Sequence, residues 1–120
     1  MRDDMIMAAL NELNSSSADI EASAVISTDG LVLSAILPQT MDEDRVGAMA
    51  AAMLSLGDRT ASELARGNLE QVLIKGSAGY VLMMYAGENT VVSVVTNASA
   101  KLGLIFLDVK RSAEAISKLV

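Results

Sequence analysis

Two short runs constrain this chain more than any other feature: YVLMMY at residues 80–85 and VVSVV at 91–95. A strand with one face in water alternates apolar and polar side chains, whereas these are apolar at successive positions. Strands of that kind are covered on both faces. With 52% apolar residues in 120, the chain has enough material for a core on each side of a sheet. It is therefore expected to be an α+β protein, one antiparallel sheet between layers of helix, with residues 1–120 forming a single domain.

The remaining segments divide into hairpins and helices. VISTDGLVLSAI (25–36) places Asp29-Gly30 between two apolar runs. This is a tight-turn dipeptide, and a type I′ turn is predicted, because Gly accepts the positive φ that such a turn needs. Strands follow at about 20–28 and 31–37, the second ended by Pro38, which has no amide for a ladder. Three further strands, 69–76, 79–86 and 90–96, are joined by GSAG (76–79) and GEN (87–89). A first helix is predicted over 2–14, where Ile6, Ala9, Leu10 and Leu13 share a face. A central helix is predicted over 41–66. Thr40 and Glu43 fit a capping box, Asp42, Glu43 and Asp44 suit the positive end of the dipole, and Gly67 after Arg66 fits a C-cap. A last helix is predicted over 100–118, with Leu102, Phe106, Val109, Ala113, Ile116 and Leu119 as its stripe. LGLIFLDV alone fits a strand equally well, and the downstream KRSAEAISKL decides for helix. The order is α-ββ-α-βββ-α.

Composition then removes whole classes of chemistry. Without Cys there is no disulfide and no thiolate, and without His the commonest metal ligand and acid/base group are gone. A net charge of −6 argues against nucleic acid, and two Tyr, one Phe and no Trp cannot form a stacking platform. No stretch is apolar for about 18 residues, so no membrane span is expected. Asp3 and Asp4 stand where a signal peptide would be basic, which points to the cytoplasm. Asn14-Ser15-Ser16 and Asn97-Ala98-Ser99 match the glycosylation pattern, which has no use in that compartment. GSAGY resembles a phosphate loop but lacks the Gly-Lys-Ser/Thr ending and a helix behind it. Asp42, Glu43, Asp44 and Asp58 could offer oxygen ligands, yet three consecutive acids point around a helix rather than at one ion. Ser55 and Ser62 have no base to activate them. No catalytic residue, metal or cofactor is expected.

The central helix carries the strongest functional signal. Wound at about 100° per residue, it puts Val46, Met49, Ala50, Met53, Gly57, Thr60, Ala61 and Leu64 toward the sheet. Ala48, Ala51, Ala52, Ser55 and Ser62 fall opposite, with Asp58, Arg59 and Arg66 nearer the C-terminal half. No charge occurs from Val46 to Gly57. An exposed helix face is normally polar, so the outer face is expected to be buried against a partner. Ala48, Ser55 and Ser62, a seam of small residues, would let another helix come close. LEQVLIK (69–75) has no Pro and little charge, so as an edge strand it would be poorly defended against pairing.

Taken in order, AVISTDGLVLSA, RVGAMAAAMLSLGDRTASELARGNLEQVLIKG, GYVLMMYAGENTVVSVV and AKLGLIFLDVKRSAEAI resemble the Roadblock / dynein light chain family. The resemblance rests on Asp29-Gly30, the Ala/Met-rich central helix, Ala86-Gly87 and Leu102-Gly103-Leu104. It implies a profilin-like or longin-like sheet in the order 2-1-5-4-3. It also implies a homodimer, with strand three pairing to its twin and the central helices side by side. It further implies a role beside small Ras-like GTPases, bacterial relatives being regulators that include activators working without an arginine finger. Others are scaffolds in motor or signalling complexes. The family often has an acidic residue before Gly in the second hairpin, where this chain has Ala78-Gly79, so the turn type there stays open.

Joined to the helix pattern, the resemblance marks Arg45, Ala52, Ser55, Arg59 and Glu63 for contact with a GTPase. Ala48, Ala51, Ser62, Leu69, Gln71, Val72 and Leu73 are marked for the dimer interface. Arg45, Arg59 and Arg66 lie on a helix rather than on an insertable loop, so a finger acting in trans is not the favoured role. The leading expectation is a non-catalytic homodimeric regulator or scaffold for a cytoplasmic Ras-like GTPase. The alternatives are an assembly scaffold without a GTPase link and a small-molecule sensor, which would need a pocket with convergent polar groups.

Overall fold

The computed structural model describes residues 1–120. The chain runs α1 (Arg2–Ser15), β1 (Ile20–Ser27), β2 (Val32–Ile36), α2 (Glu43–Glu63), β3 (Gln71–Gly76), β4 (Gly79–Tyr85), β5 (Thr90–Thr96) and α3 (Leu102–Ser117). The strands form one antiparallel sheet in the order β2-β1-β5-β4-β3. The α-ββ-α-βββ-α arrangement is the one read from the residue pattern, and the strand order is the one the family resemblance implies.

The apolar runs behave as their pattern requires. β5 lies at the centre and all its residues but Val95 are buried. On one face Ile6, Leu10 and Leu13 of α1 meet Ile105, Val109, Ala113 and Ile116 of α3 over Val25, Leu82, Val92 and Val94. On the other face α2 alone covers a smaller core, with Ala50 and Leu54 over Ala24, Ile26, Met83 and Val91. Neighbouring residues of β4 and β5 thus feed opposite cores, which is why neither strand can afford polar alternation. LGLIFLDV is helical, anchored by buried Val109, which the expected stripe includes, and by buried Ile105, which it does not. Asn97 donates to Asp19 at 3.0 Å and ties the end of β5 to the start of β1.

The first hairpin differs from expectation. Thr28, Asp29 and Gly30 form a three-residue loop, closed by the Ser27 amide donating to the Leu31 carbonyl at 2.8 Å. Within it Gly30 N–H donates to Ser27 O at 3.0 Å, and Gly30 alone takes a positive φ, +97°. This is a type I turn closed by a left-handed glycine, not a type I′ turn. β2 then pairs with β1 through a bulge: Val25 opposes Ser34 and Ile26 opposes Val32, leaving Leu33 as the extra residue. In the second hairpin Gly76 pairs with Gly79 around Ser77-Ala78. Neither central residue has a positive φ, so that turn is not type I′ either.

The ends of α2 also differ. The N-cap is Asp42, whose carboxylate accepts from the Arg45 amide at 3.2 Å, rather than Thr40 in a capping box. At the other end the helix stops before Gly67. Ala65 adopts φ +56°, with Arg66 N–H donating to Ala61 O at 2.7 Å and Ala65 N–H to Ser62 O at 3.1 Å. These two bonds make a Schellman motif with alanine at the position glycine usually occupies.

Candidate interaction surface

α2 crosses the sheet by bringing its backbone against the first hairpin. A side chain at Gly47 would collide with the Gly30 carbonyl, so the helix sits closer there than any other residue allows. That contact fixes how the helix is rolled. Gly47, Ala50 and Leu54 are buried, while Met49 is 57% exposed and Leu64 65% exposed. The inward face is therefore turned by about 60° from the expected one, which had Met49, Thr60 and Leu64 against the sheet and omitted Gly47 and Leu54.

The roll leaves an apolar outer face. Ala48, Met49, Ala52 and Leu56, the last 61% exposed, point away from the sheet. Ser55 and Ser62 border this strip. Met49 and Leu56 are its largest side chains and belong to neither residue set marked from the sequence. The signal that could have found Leu56 is its place inside the charge-free stretch.

The residues marked for a GTPase lie along one side of α2, all exposed. Arg59 and Glu63 are tied to each other, Nε to Oε1, at 3.2 Å. Both are well solvated, so the pair adds little to stability. Arg45 makes no ion pair, and Ala52 and Ser55 lie between the charged ends. Of the residues marked for a dimer interface, Ala48, Ser62, Gln71 and Leu73 are exposed. Ala51 is half-buried beside Gly30. Leu69 and Val72 are half-buried and pack beneath α2.

β3 is the outer strand of the sheet beside β4. Its side chains divide by face. Val72 opposes Met83 and joins the α2 core, whereas Leu73 opposes Leu82 of the α1/α3 core. Leu73 and Ile74 are 40% and 38% exposed. An uncharged strip of helix and an open strand edge thus flank one side of the molecule.

A groove of about 920 Å³ opens where the C-terminal half of α2, the entry to β3, the β4–β5 turn and α3 meet. Asp58, Glu70, Glu88 and Glu114 line it with a single cation, Lys110. Tyr85 lies in it, and its phenol is pushed above the ordinary range first by burial and then by the Asp58 carboxylate. No three carboxylates are placed to hold a metal ion together. No helix is long and apolar enough to cross a membrane.

The sequence profile of the Roadblock/LC7 domain matches residues 7–96. Uncharacterized protein MJ1340 of Methanocaldococcus jannaschii is 44% identical over 115 residues, covering 96% of this chain and 99% of that protein. Uncharacterized protein MJ0310 of the same organism is 44% identical with the same coverage. Among solved structures, Myxococcus xanthus MglB is similar with a TM-score of 0.91 at 18% identity, covering 98% of this chain and 92% of that one. A structure described as MglB with tetrameric arrangement gives 0.88 at 20% identity, covering 98% and 89%. Acanthamoeba castellanii profilin II gives 0.63 at 16% identity, covering 92% and 95%, so the sheet is profilin-like. At these identities the structural likeness is one of fold.

Proposed function

This chain belongs to the Roadblock/LC7 family, and from that premise we propose that it is a non-catalytic homodimer that binds a cytoplasmic Ras-like small GTPase. Residues 1–120 act as a single Roadblock-type domain. The family resemblance favours small-GTPase regulation, other members being scaffolds in motor or signalling complexes. What supports it in this chain is the outer face of α2, which carries no charge from Val46 to Gly57 and exposes Met49 and Leu56. Apolar surface of that kind, rimmed by polar residues, marks protein contact rather than chemistry. Ala48, Ala51, Ser62, Leu69, Gln71, Val72 and Leu73 form or support the dimer contact. Arg45, Ala52, Ser55, Arg59 and Glu63 meet the GTPase.

The mechanism is differential binding. A partner shifts the equilibrium between a GTPase's conformations only by as much as it binds one nucleotide state more tightly than the other. A pull-down from the native lysate, once with excess GDP and once with a non-hydrolysable GTP analogue, tests this. Mass spectrometry should find a Ras-like GTPase enriched in one state only. Non-GTPase proteins enriched equally in both states would instead make the chain an assembly scaffold for a motor or signalling complex.

A further inference from the structure

The groove beside Tyr85 lies outside the apolar strip of Met49 and Leu56. Its carboxylates come from four separate segments: Asp58 from α2, Glu70 from the entry to β3, Glu88 from the β4–β5 turn and Glu114 from α3. All four are exposed, and none takes part in an ion pair. Lys110, the one cation there, is unpaired as well. Four carboxylates against one ammonium leave a net charge of −3 at the groove, half of the chain's −6.

Local structure does not call for these charges. Glu114 stands in the last turn of α3, where the helix dipole disfavours an anion. Asp58 lies well past the first turn of α2, where Glu43 and Asp44 already meet the dipole. Tyr85, its phenol raised first by burial, is raised further by Asp58, so that carboxylate acts on the groove unneutralised. A cleft of one sign with low-dielectric walls gathers counter-charge.

The shape of the groove selects what can fill it. The carboxylates do not converge on one point, so a single metal ion does not fit. A volume of about 920 Å³ is at the upper end of the range for small-molecule sites, about 300–1,000 Å³. Half-buried Met84 and Tyr85 give it apolar surface between the charges. A chain with cations at intervals and apolar side chains between them matches that lining. An extended peptide of alternating basic and apolar residues has this form, because successive side chains point to opposite sides. Lys and Arg also suit Tyr85, since cations are drawn to aromatic faces.

The geometry points to a docking site for a basic, extended segment of another protein. Its cations lie against Asp58, Glu70, Glu88 and Glu114, and its apolar side chains lie on Met84 and Tyr85. A free polyamine carries the charge but leaves the apolar surface uncovered.

The test uses a fluorescein-labelled peptide of alternating lysine and leucine, titrated with the full chain and followed by fluorescence anisotropy. At about 50 mM salt it should bind, and binding should weaken as salt rises. E88K/E114K should weaken binding about tenfold or more. D3K/E21K changes the net charge equally at exposed positions away from the groove and should change affinity less than about threefold. Circular dichroism checks that both variants fold, and E88Q/E114Q, which removes the charges without reversing them, should give a smaller loss in the same direction. Equal losses in the two lysine variants would make the attraction a property of the whole acidic chain and overturn the site. No binding, or equal binding of a peptide with glutamate in place of lysine, would overturn it too. Spermine binding as tightly as the peptide would make the occupant a small polycation and overturn the protein segment. No GTPase takes part in the measurement, so its failure leaves the GTPase proposal where the lysate pull-down puts it.

Discussion

At the scale of single residues, the position that stands out is Ala65. Its φ of +56° places a methyl group where the left-handed conformation costs about 1 kcal/mol relative to glycine. The residue is exposed, and the two bonds of the motif it completes come from backbone groups. Ala65→Gly should therefore stabilise the fold by about 1 kcal/mol, seen as a thermal midpoint higher by about 4 °C. A lower midpoint would mean that the alanine has a packing role the backbone does not reveal. The same site shows why helix ends were harder to place from sequence than the helices themselves. Gly67 fits a stop signal, but the chain turns two residues earlier on a residue with no such signature. The expected cap, Thr40, lies two residues before the one that forms, and Asp42, assigned from sequence only to the helix dipole, takes the role.

At the scale of elements, the strands were legible and the roll of α2 was not. Runs such as VVSVV have no polar face to lose, so their burial on both sides follows from residue type alone. A helix is phased by contrast between a wet and a dry side. α2 lacks that contrast from Val46 to Gly57, and the contact that settles its phase, Gly47 on Gly30, lies between segments far apart in sequence. Leu56 and Met49 were missed for that reason, although the charge-free stretch that contains them was visible. Ala52 sits on the outer strip between them. Ala52→Glu puts a charge there without touching the core, so monomer stability should change by no more than about 0.5 kcal/mol. Dimer or GTPase affinity should fall about tenfold or more. Unchanged solution mass and unchanged partner capture would remove this face from both interfaces.

At the scale of the whole molecule, the two cores are unequal. Two helices close one face of the sheet and one closes the other, and the thinner side is where α2 leaves apolar surface in water. A partner that covers that surface stabilises the folded chain by mass action. If the chain forms the proposed homodimer, its thermal midpoint should rise with protein concentration. A midpoint independent of concentration from the low micromolar range upward would mean that the chain does not associate with itself there. Partner identity was not legible in the residues, because an uncharged strip carries no chemical mark of any one partner. That part came from the resemblance to a family.

The extra residue at Leu33 has a consequence for growth. A sheet joined through β3, the pairing the family resemblance implies, uses that edge once per chain and leaves a β2 at each end. An open flat edge there would recruit further copies and the assembly would lengthen without limit. β2 spans only Val32–Ile36, is kinked by its bulge and is followed by Pro38, so it offers an incoming strand a short and bent template. The protein would then carry its own chain terminator, and crowding it in solution should yield finite particles rather than fibres.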